Sequence, residues 1–276
     1  MAQQGGVRLA GQLFQLNFNL APVLEFVLKK DYVVVLAALA GMATVTWGLM
    51  IREALGLPGA CCRLGAPDIQ HWDISTVPPL FLMWANMMVA MMIPSAAPMI
   101  LTFAMVNRKR GQSQWPLGPA GIFLSGYLSV WVAFSLLVAV LQWMLHAEAL
   151  LSPRMVSSSP VFGGALLIAA GIFQWTPWKR ACLTHCRSPL TFLMTGWREG
   201  KWGAWVMGLQ QGAYCTGCCW VLMLLLFVAG VMNLFWIAVI TLFVLAEKFV
   251  PRGLWLGKLA GAGLVGWGIW MLAGAF

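Results

Sequence analysis

Charge is what this sequence has least of. Only 9% of its 276 residues are charged, with 8 Asp+Glu against 17 Lys+Arg, and it contains just 3 His and 3 Tyr. Ordinary globular chains carry about 25% charged and roughly 45–50% apolar residues. A chain with 61% hydrophobic side chains cannot cover a water-facing surface, which excludes a soluble enzyme or a DNA-binding protein. The net charge of +9 then reads as basic loop residues on one side of a membrane, with no nucleic acid implied.

Templates for catalysis are also missing. The three histidines, His71, His146 and His185, fall on two sides of the predicted membrane, so no transmembrane bis-histidine haem pair can be built. No acid falls at the middle of a predicted span, and Lys258 sits about one turn into the last one, which excludes retinal chemistry. No glycine-rich phosphate loop and no Ser/His/Asp arrangement can be placed. Gly261-Ala262-Gly263, Gly163-Gly164 and Gly171 read as close helix packing instead. No short apolar stretch with a small-residue cleavage site precedes Lys29-Lys30-Asp31, so no cleavable signal peptide is expected.

What is present is a series of long apolar runs. A hydrocarbon core of roughly 30 Å needs about 20 such residues in a helix. Seven stretches qualify: Val33–Met50, Leu80–Val106, Pro119–Leu145, Val161–Trp178, Ala204–Gly230, Asn233–Phe249 and Leu254–Ala275. The predicted fold is all-α, a polytopic membrane helix bundle of about seven transmembrane helices. Residues 1–32 form a cytoplasmic segment with an interfacial helix at Leu20–Lys30, and residues 33–276 form a single transmembrane domain. The short connection at Val231–Asn233 makes the fifth and sixth spans antiparallel neighbours. With the N-terminus inside, the cytoplasmic set holds fourteen cations, Lys179, Lys248 and Arg108-Lys109-Arg110 among them; Arg52, Arg63 and Arg154 are the outer set. That asymmetry predicts N-in, C-out.

The informative residues are 7 Cys and 17 Met. Cys182-Leu183-Thr184-His185-Cys186 lies in the predicted fourth loop, on the cytoplasmic side, and Cys215-Thr216-Gly217-Cys218-Cys219 lies near the middle of the fifth span. Both place three candidate ligands at i, i+3 and i+4, one face of a helix within a rise of about 6 Å. Met207, Gln211, Tyr214, Cys215 and Cys218 share an arc of roughly 100°, with Cys219 at its edge. Glutamine in hydrocarbon needs a partner, so this face should point inward.

The second span supplies methionines at the same depth. Met83, Met87 and Met91 form one i, i+4 stripe, and Met88 and Met92 the adjacent one. Pro94 and Pro98 free the carbonyls of Ala90 and Pro94, which predicts a kinked, partly polar helix with Ser95 and Asn86 to hand. Thiolate and thioether ligands select Cu(I) before Zn. Copper is therefore the expected metal, with zinc, on the cysteines and His185, as the alternative. The outer loop adds Cys61, Cys62, Asp68, His71 and Asp73 with weaker spacing, and His146 lies at the outer end of the third span. Each feature has a bland counterpart, since Cys and Met are also ordinary fillers of buried helices.

At these motifs the chain resembles a bacterial family of predicted metal-binding integral membrane proteins of uncharacterised function. The matching stretches are Met83–Met99, Gln174–Pro189 and Gly212–Met223, continuing through Phe227–Glu247. The resemblance implies a bacterial inner-membrane location and metal binding. Three functions follow as expectations. The first is a soft-metal, copper(I), binding protein. Met83, Met87 and Met88 take the ion from the outer side. Cys215, Cys218 and Cys219 hold it at midplane with Met91 or Met92, and Cys182, His185 and Cys186 hold it at the inner side. Its partners would be the lipid bilayer and a metal chaperone or membrane enzyme subunits. The second is a membrane thiol–disulfide relay. The third is a non-catalytic accessory subunit of a membrane metalloenzyme.

Overall fold

A computed structural model describes residues 32–55, 74–111, 117–147, 159–251 and 253–274. Segment 1–31, the outer-loop residues Cys61, Cys62, Asp68, His71 and Asp73, and Glu148 lie outside them. Among the described residues the chain is helical, with no strand. In order, the helices are α1 (Tyr32–Ala54), α2 (Val77–Lys109), α3 (Leu117–Ala147), α4 (Pro160–Phe173) and α5 (Pro177–Arg187). They continue as α6 (Pro189–Gly196), α7 (Gly200–Leu224), α8 (Leu226–Ala229), α9 (Leu234–Phe249) and α10 (Gly253–Ala273).

Five helical stretches are long and apolar enough to cross a membrane: α1, α2 with its leading turn, α3, α7 with α8, and α10. A sixth arises if α4 and α5, bent by 62° at their junction, count as one broken span. This pattern is compatible with a multi-pass membrane protein. The expected fourth span is thus two helices, and the expected sixth is the 16-residue α9, about 24 Å long at 1.5 Å per residue.

The break between α4 and α5 has a local cause. Pro177 cannot donate to the preceding turn and pushes Thr176 out of helical geometry. Thr176 takes an extended conformation with ψ 145°, and its hydroxyl caps α5 by accepting from the Lys179 amide at 3.3 Å. The chain bends there and α5 packs along α7. Beyond α8, Gly230 adopts φ 96°, a left-handed value suited to glycine, and the chain reverses. Asn233 caps α9 through Oδ1, which accepts from the Phe235 and Trp236 amides.

Two helix pairs pack backbone to backbone. On α3 and α7, a Cβ at Gly126 or Gly208 would strike the carbonyl of Trp205 or Phe123. On α4 and α10, Gly171 meets the Gly261 carbonyl and Gly268 meets that of Gly164. Gly164, Gly171 and Gly261, read as close packing from the sequence, lie in this contact, whereas a Cβ at Gly263 would meet nothing within 4 Å.

Helix α2 runs unbroken through Pro94 and Pro98 and lies at the centre. Pro94 leaves the Ala90 carbonyl without its helical donor, and Trp47 of α1 supplies one through its indole N–H at 3.0 Å. Trp84 donates to buried Gln142 of α3 at 2.6 Å. Polar groups of α2 are therefore answered by neighbouring helices.

Candidate functional site

The two cysteine motifs expected at different depths form one cluster. Because the chain bends at Thr176, α5 lies against the middle of α7, and Cys186 comes close to Cys215 and Cys218. Cys182 lies over Gly217, where an added Cβ would be 2.9 Å from its Sγ. Cys186, Cys215, Cys218 and Cys219 are buried and Cys182 half-buried, and all five are free thiols. The absent side chain at Gly217 gives Cys182 its place, which the motif alone did not reveal.

Within α7 the i, i+3, i+4 spacing works as drawn from the sequence. The thiols of Cys218 and Cys219 both donate to the Cys215 carbonyl at 3.0 Å. Met207, Gln211, Cys215 and Cys218 of the predicted face are buried, with Tyr214 half-buried beside them.

Cys215 is the hub. Its sulfur lies 3.1 Å from the Tyr127 hydroxyl of α3 and accepts from the Lys248 ammonium of α9 at 3.0 Å. Lys248 also donates to Ser95 of α2 at 3.0 Å. Ser95 donates to the Met92 carbonyl at 3.0 Å and lies 3.9 Å from the Met92 sulfur. Tyr127 donates to the same carbonyl at 3.4 Å. Helices α2, α3, α5, α7 and α9 all contribute to this centre.

The methionines Met83, Met87, Met88, Met91 and Met92 are buried, none more than 3% exposed. They run along α2 toward the thiol cluster, with Met92 as the nearest by its hydrogen-bond links. His185 is not brought to the thiols. It is exposed, with Nδ1 2.9 Å from the Ala181 carbonyl, and its ring stacks on Tyr214 at 4.4 Å. His146 is buried in α3 with Nδ1 3.1 Å from the Gln142 carbonyl. Among the described residues, no three Cys, His, Asp or Glu side chains are arranged as a ready metal cage. The thiols are turned toward one another and the helix carbonyl.

Sequence reasoning missed the cations. Lys179 and Lys248, counted with the cytoplasmic loop charges, are 2% and 8% exposed. Lys179 pairs with both carboxylate oxygens of Glu247 at 2.7 and 2.8 Å and also hydrogen-bonds Gln174. This ties the α4–α5 junction to the end of α9. Glu247, at the end of α9, is thus a buried acid, a position the search for mid-span acids did not cover. The signal was available: adjacent Glu247 and Lys248 end an otherwise apolar run, and Tyr127 is one of only 3 tyrosines.

The comparisons with known proteins agree in direction. The profile of a family described as PpoB2, copper chaperone, matches residues 81–271, most of the chain. No curated protein and no solved structure matches.

Proposed function

The chain belongs to the PpoB2 copper chaperone family, and from that premise we propose that it holds copper(I) at the joined thiol cluster of α5 and α7 and passes it on. The observation that carries this reading is the convergence of Cys186 of α5 with Cys215 and Cys218 of α7 around one buried point. Cys219 and Cys182 flank that point, and Met92 adds a thioether beside it.

The charge balance favours a copper thiolate there. Two thiolates around copper(I) leave a net charge of −1, which is costly to bury without a partner. Lys248 sits at hydrogen-bonding distance from Cys215, and among the described residues its ammonium is paired with no carboxylate. The loaded site is then close to neutral. Binding replaces S–H protons, so the thiols turn from the Cys215 carbonyl toward the ion.

The five α2 methionines extend the path. Met83, Met87 and Met88 take up the ion and Met91 and Met92 bring it to the thiols, over about 14 Å of helix between the first and last. Neutral thioethers hold copper(I) while they exclude zinc. His185, exposed on α5, is the ligand for exchange with a soluble or membrane partner, such as a metal chaperone or an enzyme subunit. The setting is a bacterial inner membrane, with N-in, C-out topology.

Anaerobic copper loading of the detergent-purified chain tests this reading. Wild type should retain copper, and a Cys215/Cys218/Cys219→Ser variant should lose the thiolate-bound ion. Equal thiolate-bound copper in both contradicts it. The gathering of five free thiols on α5 and α7 also favours a second reading, a thiol–disulfide relay. Replacing Met87, Met88, Met91 and Met92 by Leu separates the two, because a relay tolerates the change and a copper path does not.

A further inference from the structure

A second group of methionines lies apart from the thiol cluster, and three chain segments build it. Met50 and Glu53 stand one turn apart at the end of α1. Met83 and Met87 stand one turn apart near the start of α2. Met232 comes from the turn between α8 and α9. Together with Leu234 and Ile237 they line a single small cavity of about 10 Å³, on the scale of one water molecule or ion.

Packing alone does not account for this composition. Methionine fills irregular gaps well, but a filled apolar gap gives no reason for a carboxylate. Glu53 is half-buried; its Oε1 is enclosed and has no hydrogen-bond partner, and among the described residues no cation forms an ion pair with it. A carboxylate oxygen accepts only, and thioether sulfur has no proton to give it. A cation held in the cavity would answer both groups. Sulfur donors from four methionines select a soft one, and a monovalent ion is neutralised by one carboxylate.

We propose that Met50, Met83, Met87 and Met232, with Glu53, form a second binding site for a monovalent soft cation, copper(I) or its surrogate silver(I). This rests on the copper-handling reading above and adds a loading site at the far end of the α2 stripe. Met50, Met232 and Glu53 stood outside the sequence motifs because none belongs to a cluster along the chain. Met83 and Met92 are nine positions apart, so this site lies about 14 Å along α2 from the thioether nearest the thiols. Between them, Met88 and Met91 continue the thioether surface, each 0% exposed.

The test is anaerobic silver(I) and copper(I) titration of the full chain in detergent, with four proteins compared. These are the wild type, a variant with all seven cysteines, Cys61 and Cys62 included, replaced by Ser, Met50→Leu/Met232→Leu, and Glu53→Gln. The thiol-free variant should still bind one ion, with only thioether sulfur and carboxylate oxygen in its X-ray absorption spectrum. Met→Leu nearly conserves volume, so Met50→Leu/Met232→Leu in the otherwise native chain should fold and bind one ion fewer. Glu53→Gln should weaken the site at least about tenfold, since it removes the opposing charge. A native-like Met50→Leu/Met232→Leu protein with unchanged stoichiometry overturns the second site and leaves the thiol site standing. Wild type that binds neither ion overturns both. The double methionine variant also serves where the seven-serine variant does not fold.

Discussion

Cys215 owes its position at the hub to three neighbours that no cysteine motif contains: Tyr127, Lys248 and, through Lys248, Ser95. Lys248 is the one whose removal is most informative. Lys248→Met preserves length and apolar bulk but leaves a copper bis-thiolate without its counter-charge. Copper(I) affinity, read by competition with a chelator, should fall at least about tenfold. Unchanged affinity would mean that the ammonium does not neutralise the loaded site. His185 predicts the opposite pattern. It is exposed and stacked on Tyr214, away from the thiols, so His185→Ala should leave equilibrium affinity intact and slow only copper release to an acceptor. Stopped-flow transfer to a chromophoric chelator with an accessible binding group separates the two effects.

At the scale of helices, buried polar pairs hold the elements in register. Pro94 frees the Ala90 carbonyl, and Trp47 donates to it from α1. Trp47→Phe leaves a buried carbonyl unanswered and should lower stability by about 1–3 kcal/mol. Restoring the helical donor with Pro94→Ala should recover part of that loss, a coupling that thermal unfolding of both single variants and the double variant would reveal. The Lys179–Glu247 pair joins the α4–α5 junction to α9 and is 2% and 3% exposed on its two sides. Glu247→Gln strands a buried ammonium, and a loss of about 3–5 kcal/mol is expected. Replacing both residues with apolar ones of similar size should be far milder, and equal losses for the single and double changes would contradict the pairing.

For the whole molecule, the apolar runs were legible because the length needed to cross hydrocarbon is fixed by bilayer thickness. The long helices therefore fall where the runs fall, and the glycines of α4 and α10 meet as their spacing suggested. The break between α4 and α5 was not legible. Lys179-Arg180-Ala181-Cys182 carries enough charge to read as loop, and nothing local in the sequence tells that α5 packs against α7. Whether a cation snorkels to an interface or is buried beside an acid depends on the neighbouring helix, so Lys179 and Lys248 read as topology signals. The methionine stripe and the α7 thiols were visible because both are local, at helical spacing along one segment. Their union with Cys186, and the gathering of Met50, Met83, Met87 and Met232, depends on contacts between segments distant in sequence. Thiol labelling in intact membranes checks the bend. Half-buried Cys182 should react before buried Cys186, whereas a free cytoplasmic loop would expose both alike.

The central claim is that the thiols of α5 and α7 form one copper(I) site. Copper K-edge X-ray absorption tests it most directly, on anaerobically loaded wild type beside Cys186→Ser and His185→Ala. Wild type should show thiolate sulfur and no imidazole nitrogen in its first shell, unchanged by His185→Ala and altered by Cys186→Ser. A spectrum that keeps its shell when Cys186 is replaced, or that shows imidazole nitrogen lost with His185, would contradict it.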